Sequence, residues 1–405
     1  MPLDAALGRL DAEALARDVA TLVRVPSVTG DERAALERLG ELAAALGLEA
    51  ELHRHDLAAL RAHPDHPGEE APRAELLGLT VTVPGTRADG PRLAADGHVD
   101  VVPPGSVPWA HGGPWSGAVA SGFVHGRGSV DMKGSVVAAL HALAALGGRG
   151  PHGEVVLVAA ASEENGGLGT FAALERDSAF AACLIPEPTG FDVVCAQAGA
   201  LTFEGTVRGV AAHAAHRLEG VSAIDRYLPV HAALAAHERA LNAAVEHPLM
   251  RGLELPYPLL VGRIAAGEWS SSVPDRLVFE GRAPVRVGEA PAAARTAVEA
   301  VVAAAGDGAV DLRFSGGQFA SGETAPDHPF ARLVRAAVGA ETGREARVAG
   351  VPWGADMRLW CARGIPCVMA GPHGIELAHA VDERVAVADL VTVARAIVRV
   401  VFGFA

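Results

Sequence analysis

Residues 155–169 read VVLVAAASEENGGLG. The uninterrupted apolar run 155–161 predicts a buried strand of a parallel sheet. The acidic pair Glu163 and Glu164 follows almost directly, and the glycines after it predict a turn. Open α/β sheets bind their ligands at the carboxyl ends of such strands. Because two adjacent carboxylates repel each other unless a cation or a proton lies between them, the pair indicates a metal site. One carboxylate would bind the metal and the other would move a proton.

Four further candidate ligands are spread over the chain, and they are His98, Asp131, Glu187 and His379. Another acidic residue, Asp100, follows His98 by two residues. Imidazole nitrogens and carboxylate oxygens, without cysteine, suit zinc or a similar divalent transition metal. Together with Glu164 these ligands are too many for one tetrahedral zinc ion that keeps an open position. They suffice for two ions about 3.5–4 Å apart that share a carboxylate and hold a bridging water as hydroxide.

The composition limits the class of protein. A chain of 405 residues, half of them hydrophobic, is too long for one typical core and predicts two domains. The formal net charge is −14, and the sequence contains no basic run. We therefore expect neither nucleic acid nor an anionic membrane as a partner.

The cysteines and the N-terminal segment bear on the compartment. None of the four cysteines, Cys183, Cys195, Cys361 and Cys367, forms a CxxC pair, which favours free thiols in a reducing cytosol. Residues 3–23 alternate acidic and apolar residues like an amphipathic helix rather than a signal peptide. No apolar run reaches about 18 residues, so no membrane span is expected. The expected location is the cytoplasm.

Helix-like and strand-like segments alternate over the first 190 residues, which predicts an α/β fold with helices flanking a sheet. Thr29 and Glu32 have the spacing of a capping box before a helix at 34–46. Asp131 precedes an Ala/Leu/Val-rich helix at about 135–146, in a loop where backbone N–H groups favour negative charge.

The pattern changes near residue 200 to the order β-α-β-β-α-β, the split arrangement of a ferredoxin-like α+β sandwich. The segments are 201–208, 222–241, 259–267, 276–283, 290–304 and 309–314. Residues 315–318, Ser-Gly-Gly-Gln, have the composition of a hinge. We expect a discontinuous metal-binding domain of residues 1–199 and 316–405, with residues 200–315 inserted. This layout is required if His379 is to meet His98 and Asp131.

With these residues identified, the chain resembles the zinc-dependent deacylases and exopeptidases that include acetylornithine deacetylase, succinyl-diaminopimelate desuccinylase, aminoacylase and glutamate carboxypeptidase. The resemblance covers nearly the whole chain. Its motifs, in order, are VPS at 25–27, GDE at 30–32, GHVD at 97–100, GRGSVDMKG at 126–134, SEE at 162–164, GVAAH at 209–213, GADM at 354–357, and GP at 371–372 with His379 and Glu383 after it. Each motif alone is weak, and their common order and spacing make the resemblance specific.

The resemblance implies a role for each matching residue, on a di-zinc exopeptidase-like mixed sheet. His98 and Glu187 would bind one zinc ion, Glu164 and His379 the other, and Asp131 would bridge them. Glu163 would be the general base and acid, and Asp100 would hydrogen-bond the far nitrogen of His98. Cobalt or manganese could substitute for zinc.

The resemblance also assigns residues to the inserted domain, which would act as a lid and a dimerisation domain. His213 would reach the site of the partner subunit in a homodimer and stabilise the oxyanion. Arg282 would grip a substrate carboxylate. Bringing His213 and Arg282 to the metals would require hinge motion near residues 199 and 316. In the metal-binding domain, the backbone at Gly354 would face the substrate.

Simpler readings of the same residues stay open. A His-x-Asp pair is commonly a loop hydrogen bond, Asp131 could only cap its helix, and Glu187 lies between two prolines as a loop charge would. His373, His216 and Arg286 compete with His379, His213 and Arg282 respectively. The glycines at 126 and 128 do not form a phosphate loop, because no Gly-Lys-Ser/Thr follows them.

These observations predict a metal-dependent amidohydrolase that acts on N-acyl amino acids, as acetylornithine deacetylase does. A dipeptidase or a carboxypeptidase of the same family is the alternative. A non-catalytic binding protein on this fold would be expected to have lost ligands, and none of the ligand positions is altered.

Overall fold

The computed structural model describes all 405 residues, Met1–Ala405. Helices and strands follow one another along the chain. The helices are α1 Leu3–Leu7, α2 Ala12–Val23, α3 Arg33–Ala45, α4 Leu57–Arg61, α5 Gly134–Ala145, α6 Leu168–Arg176, α7 Ala223–Ala243, α8 Pro291–Ala305, α9 Pro329–Thr342, α10 Met357–Ala362 and α11 Val387–Gly403. The strands are β1 Ala50–His55, β2 Leu76–Val83, β3 Leu93–His98, β4 Ala118–Ala120, β5 Phe123–His125, β6 Val155–Ala160, β7 Ala182–Ile185, β8 Val193–Gln197, β9 Gly199–Arg208, β10 Leu260–Ala266, β11 Arg276–Val285, β12 Val310–Phe319, β13 Gly322–Glu323, β14 Val348–Val351, β15 Cys367–Met369 and β16 Arg384–Ala386.

A nine-stranded mixed sheet is the centre of the molecule. Its strand order is β1-β2-β6-β3-β7-β15-β8-β13, and β14 pairs with β8. The central strands β6, β3, β7 and β15 run parallel to one another, whereas β1 and β2 pair antiparallel at one edge. Strand β6 is buried along its whole length, as the apolar run at 155–161 predicts. The carboxyl ends of the adjacent parallel strands β6, β3 and β7 therefore lie side by side.

Helices cover this sheet and complete its core. Helix α5 is apolar on nearly all sides and is buried along nearly its whole length, packed against α2, α11, β3 and β6. Helix α6 packs against β2 and β6. The sheet and these helices bury one continuous core of 71 residues. The architecture is therefore a mixed α/β fold with a central sheet flanked by helices, as expected from the sequence.

A separate four-stranded antiparallel sheet forms between residues 199 and 319. Its strand order is β10-β11-β9-β12, and α7 and α8 pack against it. The chain order β9-α7-β10-β11-α8-β12 is the one predicted for a ferredoxin-like sandwich. The unit has its own hydrophobic cluster, built around Phe203, Phe279, Tyr227 and Val298. Separate sheets and cores support the predicted division into two domains, whose exact boundaries remain a prediction.

The segment 315–318 lies inside strand β12, which continues to Phe319. Pairing with β9 is irregular between Phe314 and Gln318, so the glycines make a bulge within the strand and do not end it. The final strand is therefore longer than the predicted 309–314.

The predicted capping box at the start of α3 is wrong. Glu32 is the N-cap residue itself, and its carboxylate accepts hydrogen bonds from the Gly30 N–H group and from Arg73. The Thr29 hydroxyl turns away and donates to Asp100 at 3.0 Å. The S/T-x-x-E spacing is present in the sequence. In the fold, however, Thr29 bonds to the buried Asp100 and Glu32 bonds to the buried Arg73.

Residues 3–23 form two helices, α1 and α2, rather than one. The break coincides with Gly8 and with Asp11, whose carboxylate accepts hydrogen bonds from the N–H groups of Glu13 and Ala14 and so caps α2. None of the helices in the fold combines the length and the apolar character that crossing a bilayer requires.

Candidate metal centre

Four candidate residues come from the carboxyl ends of three adjacent parallel strands. His98 is the last residue of β3. Glu163 and Glu164 form a 3₁₀ turn, Glu163–Asn165, just after β6. Glu187 follows β7 by two residues. Since these strands are neighbours in the sheet, their carboxyl ends meet at one edge, where ligands bind in open α/β folds.

The other two candidates come from loops. Asp131 lies in a π-helical turn, Ser129–Lys133, that leads into α5, and its own backbone is not helical. His379 follows a short 3₁₀ turn, Ile375–Leu377, and has a left-handed backbone with φ of 61°.

The Asp131 carboxylate lies between the two imidazoles. His98 Nε2 is 3.2 Å from Asp131 Oδ1, and His379 Nε2 is 3.5 Å from Asp131 Oδ2. Glu187 Oε1 lies 3.8 Å from His98 Nε2, and Glu164 Oε2 lies 3.0 Å from His379 Nε2. The structure thus brings together all five residues that the sequence singled out.

These residues form two sets of three ligands that share Asp131. One set is His98, Asp131 and Glu187, the other is Asp131, Glu164 and His379, and the ligand atoms within each set lie within 4.8 Å of one another. Each set offers an imidazole nitrogen and carboxylate oxygens, which is the donor chemistry of zinc and similar divalent ions. The residues present therefore fit a pair of metal ions.

The pKa shifts of the ligand side chains also indicate a site for cations. Hydrogen bonds that the His379 ring donates to Asp131 and Glu164 raise the pKa of His379 to about 10. Burial, followed by the charge of Asp131, raises the pKa of Glu187 well above its usual range. Burial would raise the pKa of Asp131 too, but the hydrogen bonds from His379 and His98 hold it below its ordinary value. Crowded buried carboxylates of this kind need protons or cations to balance their charge.

Asp100 contacts the far nitrogen of His98 through its backbone and not through its carboxylate. The Nδ1 atom of His98 lies 2.8 Å from the backbone carbonyl oxygen of Asp100, whereas the Asp100 carboxylate is 3.6 Å away. That carbonyl fixes the imidazole so that Nε2 faces the metal site. The carboxylate instead accepts hydrogen bonds from the N–H groups of Glu163 and Glu164, at 3.1 and 3.2 Å. Asp100 therefore positions the acidic turn with its side chain and His98 with its backbone.

Glu163 has the environment of a proton carrier. It is only 8% exposed, and its Oε1 atom has no hydrogen-bond partner. Burial, followed by the nearby charge of Asp356, raises its pKa well above the usual range. A buried, unpaired carboxylate next to the ligand cluster is free to take up a proton and to release it.

A buried ion pair that the sequence analysis did not single out fixes the two loop ligands. Glu383, fully buried, accepts hydrogen bonds from the N–H groups of Val130 and Asp131, at 3.0 and 3.2 Å. The same carboxylate pairs with Arg127 at 2.5 Å, and Arg127 donates to the carbonyl oxygen of His379 at 3.1 Å. Arg127 and Glu383 both belong to motifs of the sequence, but the sequence does not show that they pair with each other.

The ligands open into a cavity of about 270 Å³ lined by nine residues. Gly354 and Trp353 are among these lining residues, and the contact of the Gly354 backbone with a substrate stays a prediction. A Cβ atom at Gly354 would lie 2.9 Å from the ring of Phe319, so a side chain there would push into the end of β12. The Phe319 ring is covered by the guanidinium group of Arg358 at 4.3 Å.

The two predicted residues of the inserted unit do not line this cavity. Arg282 is partly exposed and lies 3.5 Å from Glu70, a residue of the main unit. His213 caps the 3₁₀ turn Ala214–Glu219, accepting a hydrogen bond from the Ala215 N–H group at 3.1 Å. Their substrate and oxyanion roles stay predictions, because neither side chain meets the metal ligands within one chain in this conformation.

Residues 94–402 match the model of Peptidase family M20/M25/M40. The chain is 33% identical over 389 residues to a succinyl-diaminopimelate desuccinylase of Methylobacterium sp. (strain 4-46), covering 91% of this chain and 90% of the relative.

Solved structures resemble the fold. The di-peptidase Dug1p of Saccharomyces cerevisiae superposes with a TM-score of 0.76 at 14% identity, over 98% of each chain. The M20 family metallo-carboxypeptidase Sso-CP2 of Sulfolobus solfataricus gives 0.75 at 15% identity, over 97% of this chain and 99% of that one.

Proposed function

The chain belongs to peptidase family M20/M25/M40, hydrolases of amide or peptide bonds, and we propose that it removes the acyl group from N-acyl amino acids with two metal ions. The observation that carries this proposal is the position of Asp131. Its two oxygens face two different imidazoles, and the unpaired carboxylate of Glu163 lines the same cavity.

His98 and Glu187 would hold one ion, Glu164 and His379 the other, and Asp131 both. The donor set favours zinc, with cobalt or manganese as substitutes. When bound, such a pair lowers the pKa of water and polarises a carbonyl group.

Glu163 carries the proton in the proposed reaction. It accepts a proton from the water that attacks the acyl carbon, and it donates that proton to the nitrogen as the C–N bond breaks. The products are a carboxylic acid and a free amine. The buried position of Glu163 and its raised pKa support both halves of this role. Asp100 contributes by holding the Glu163 backbone N–H group and the His98 ring.

The acyl group is the finer part of the proposal. The curated relative that covers 91% of this chain is named a desuccinylase, which favours a deacylase acting on an amino-acid amide over a peptidase. The alternative is a dipeptidase or carboxypeptidase, the activity in the names of the structural neighbours, whose likeness supports the fold alone. An N-acetyl amino acid is the substrate expected from the sequence. An N-succinyl amino acid is the kind of substrate that the relative's name indicates.

The inserted unit would complete the site from a second subunit. We propose a homodimer in which His213 of one chain stabilises the oxyanion in the other. Strand β10 is an exposed edge of the four-stranded sheet, and Leu260 and Ile264 on it are 64% and 51% exposed. An unpaired edge carrying large apolar side chains is a site for pairing with another chain. All four cysteines are free, which supports the proposed cytoplasmic location.

A substrate panel tests the proposal. Zinc- and cobalt-loaded protein is assayed for amine release from N-acetyl amino acids, N-succinyl amino acids and unblocked dipeptides, with Glu163→Gln as the control. The proposal predicts faster release from an acylated amino acid than from any dipeptide, and a loss of about 10²–10⁴-fold in Glu163→Gln at unchanged zinc content. A preference for dipeptides would show that the protein is a peptidase and not a deacylase. Equal rates in Glu163→Gln and the wild type would remove Glu163 from the mechanism.

A further inference from the structure

A second cavity lies between the two units and is separate from the metal cavity. It has a volume of about 450 Å³, within the range of small-molecule sites. The main unit contributes His66, Arg358 and Arg363 to its wall, and the ferredoxin-like unit contributes Arg295 and Gln318. It shares no lining residue with the metal cavity. A ligand there would touch both units at once.

The wall of this cavity has an excess of positive charge. Three arginines line it, and Asp65 is the one acidic residue among the lining residues. Burial lowers the pKa of His66, so this ring adds a hydrogen-bond donor and no charge. Arg363 is paired with Glu175, which lies outside the wall. Arg295 has no carboxylate partner, and its Nη2 atom donates to the neutral Gln318 side chain at 3.0 Å. The buried carboxylate of Asp356 compensates the charge of Arg358, so the excess charge rests on Arg295.

Several donors in this wall lack acceptors. Arg358 is 2% exposed, and its Nη2 atom donates to the carbonyl oxygen of Gly166 at 2.7 Å. Its Nε atom, the Nε atom of Arg295 and the Nε2 atom of His66 are buried without a hydrogen-bond partner. Buried donors are nearly always paired in folded proteins, so three unpaired ones around one cavity indicate a missing acceptor.

The amino end of helix α8 adds to the same field. Its first residue, Pro291, lines the cavity, and its N-cap residue, Ala290, offers no side chain to the free N–H groups. The partial positive charge at a helix N-terminus favours an anion. Arg295 stands one turn further along this helix, on the same side.

We propose that this cavity binds a small organic anion with carboxylate or phosphate groups, and that the bound anion fixes the orientation of the two units. Arginine is the side chain that suits both groups, because its planar fork can donate two hydrogen bonds to one oxyanion. The anion would contact Arg295 on one unit and Arg358 and Arg363 on the other. It would therefore act on the relative orientation of the two units without entering the metal centre.

Calorimetric titration of the full-length protein tests the site. The protein is stripped of metal with EDTA and dialysed, and inorganic phosphate and citrate are the probes. The metal cavity shares no lining residue with this one, so the Arg295 variant distinguishes binding at the two places. The wild type should bind at least one probe saturably, and the better probe identifies phosphate or carboxylate as the preferred group. The absence of saturable binding of either probe would overturn the proposal.

Variants locate the binding. Arg295→Gln should weaken binding of the better probe at least tenfold, and Arg295→Lys, which keeps the charge, should lose less. The matched control is Arg332→Gln, an exposed arginine of α9 outside the cavity, which should bind as the wild type does. Equal affinity in Arg295→Gln and the wild type would overturn the assignment. Circular dichroism establishes that each variant is folded.

Hydrogen exchange tests the effect on the relative orientation of the two units. Saturating probe should slow amide exchange in residues 318–320, where β12 leaves the cavity, and this protection should be absent in Arg295→Gln. Saturable binding that leaves exchange in this segment unchanged would refute the proposed restraint of the two units. Since none of these measurements uses substrate, their outcome is independent of the proposed hydrolase activity.

Discussion

Asp131 joins the two halves of the metal centre through a single carboxylate. Its Oδ1 and Oδ2 atoms face different histidines, 3.2 and 3.5 Å away. Each histidine has a further carboxylate of its own, Glu187 beside His98 and Glu164 beside His379. A group shared in this way couples the two ligand sets, so any change at Asp131 affects both.

Metal binding should depend on pH through His379. Because its pKa is raised to about 10, the metal-free protein carries a proton on this ring at neutral pH, and a cation must displace it. The apparent zinc affinity should therefore rise with pH, by up to about tenfold per unit for each proton released. Calorimetry between about pH 6 and pH 8, in buffers of different ionisation enthalpy, measures both the affinity and the proton release. A pH-independent affinity without proton release would contradict this account.

Glu383 should matter for metal affinity although it is not a ligand. Glu383→Gln keeps the size of the side chain but weakens the pairing with Arg127 and the hold on the Asp131 N–H group. We expect a loss of about 10–100-fold in zinc affinity, the usual effect of removing a group that orients metal ligands. Glu376→Gln, an exposed acid in the same loop, is the control and should bind zinc normally. Equal affinities in the two variants would remove the positioning role from Glu383.

The residue types at the centre could be predicted from the sequence, but their partners could not. The motifs indicate His98, Asp131 and Glu163, because metal ligation and proton transfer demand those side chains. Nothing in the sequence distinguishes the Asp100 carbonyl oxygen from its carboxylate as the partner of His98, since both atoms belong to one residue. The pairing of Arg127 with Glu383 joins residues 256 positions apart, and only the fold reveals it.

Among the secondary-structure elements, the adjacent parallel strands β6, β3 and β7 position most of the ligands. Their apolar runs predict buried strands, and the polar residues at their ends predict the edge at which ligands meet. Strand order, register and the antiparallel partner β2 are set by pairing between distant segments, which local patterns do not encode. The failed capping box at Thr29 has the same cause, since its partner Asp100 is 71 residues away.

The segment 66–73 packs between the acidic turn and the ferredoxin-like unit. Glu70 Oε1 accepts hydrogen bonds from the Thr202 hydroxyl at 2.9 Å and from the Gly317 N–H group at 3.1 Å, and it also faces Arg282. The Gln318 N–H group donates to Pro67 at 2.9 Å. Movement of the inserted unit therefore has to break these contacts, and Arg282 can bind a substrate carboxylate only after leaving Glu70.

Gly68 allows the close approach within this segment. Its φ is +84°, and a Cβ atom there would lie 1.8 Å from the Gly316 carbonyl oxygen. Gly105 is a matched control, because its φ is +74° but no heavy atom lies within 4 Å of the added Cβ. Gly68→Ala should lower the free energy of unfolding by about 1–3 kcal/mol more than Gly105→Ala does. Urea titration measures both, and equal losses would show that the contact with β12 does not contribute to stability.

The molecule as a whole consists of two units, and the proposed dimer would complete each site with His213 of the other chain. His213 makes no contact with the ligands of its own chain. The edge strand β10 and the exposed side chains of Leu260 and Ile264 are available for pairing. The sequence predicts the order of helices and strands in this unit. Pairing of the unit with a partner chain depends instead on surfaces that are exposed in a single chain.

Complementation tests the exchange of His213 between chains. Glu163→Gln and His213→Ala should each be nearly inactive alone. Co-expressed, they should regain about a quarter of wild-type activity, because half of randomly formed dimers are mixed and each mixed dimer has one intact site. Two copies of Glu163→Gln mixed in the same way are the control. No recovery, with mixed dimers demonstrated by mass spectrometry, would show that His213 does not act across the dimer.

Asp131 is proposed to hold two cations through one carboxylate, and counting the bound metal is the sharpest test of this arrangement. Metal-free protein is titrated with zinc, and the bound metal is measured by inductively coupled plasma mass spectrometry for the wild type and for Asp131→Asn. We expect two tightly bound zinc ions per chain in the wild type and fewer than one in the variant. A single zinc ion in the wild type, or two ions retained after Asp131→Asn, would refute the shared carboxylate.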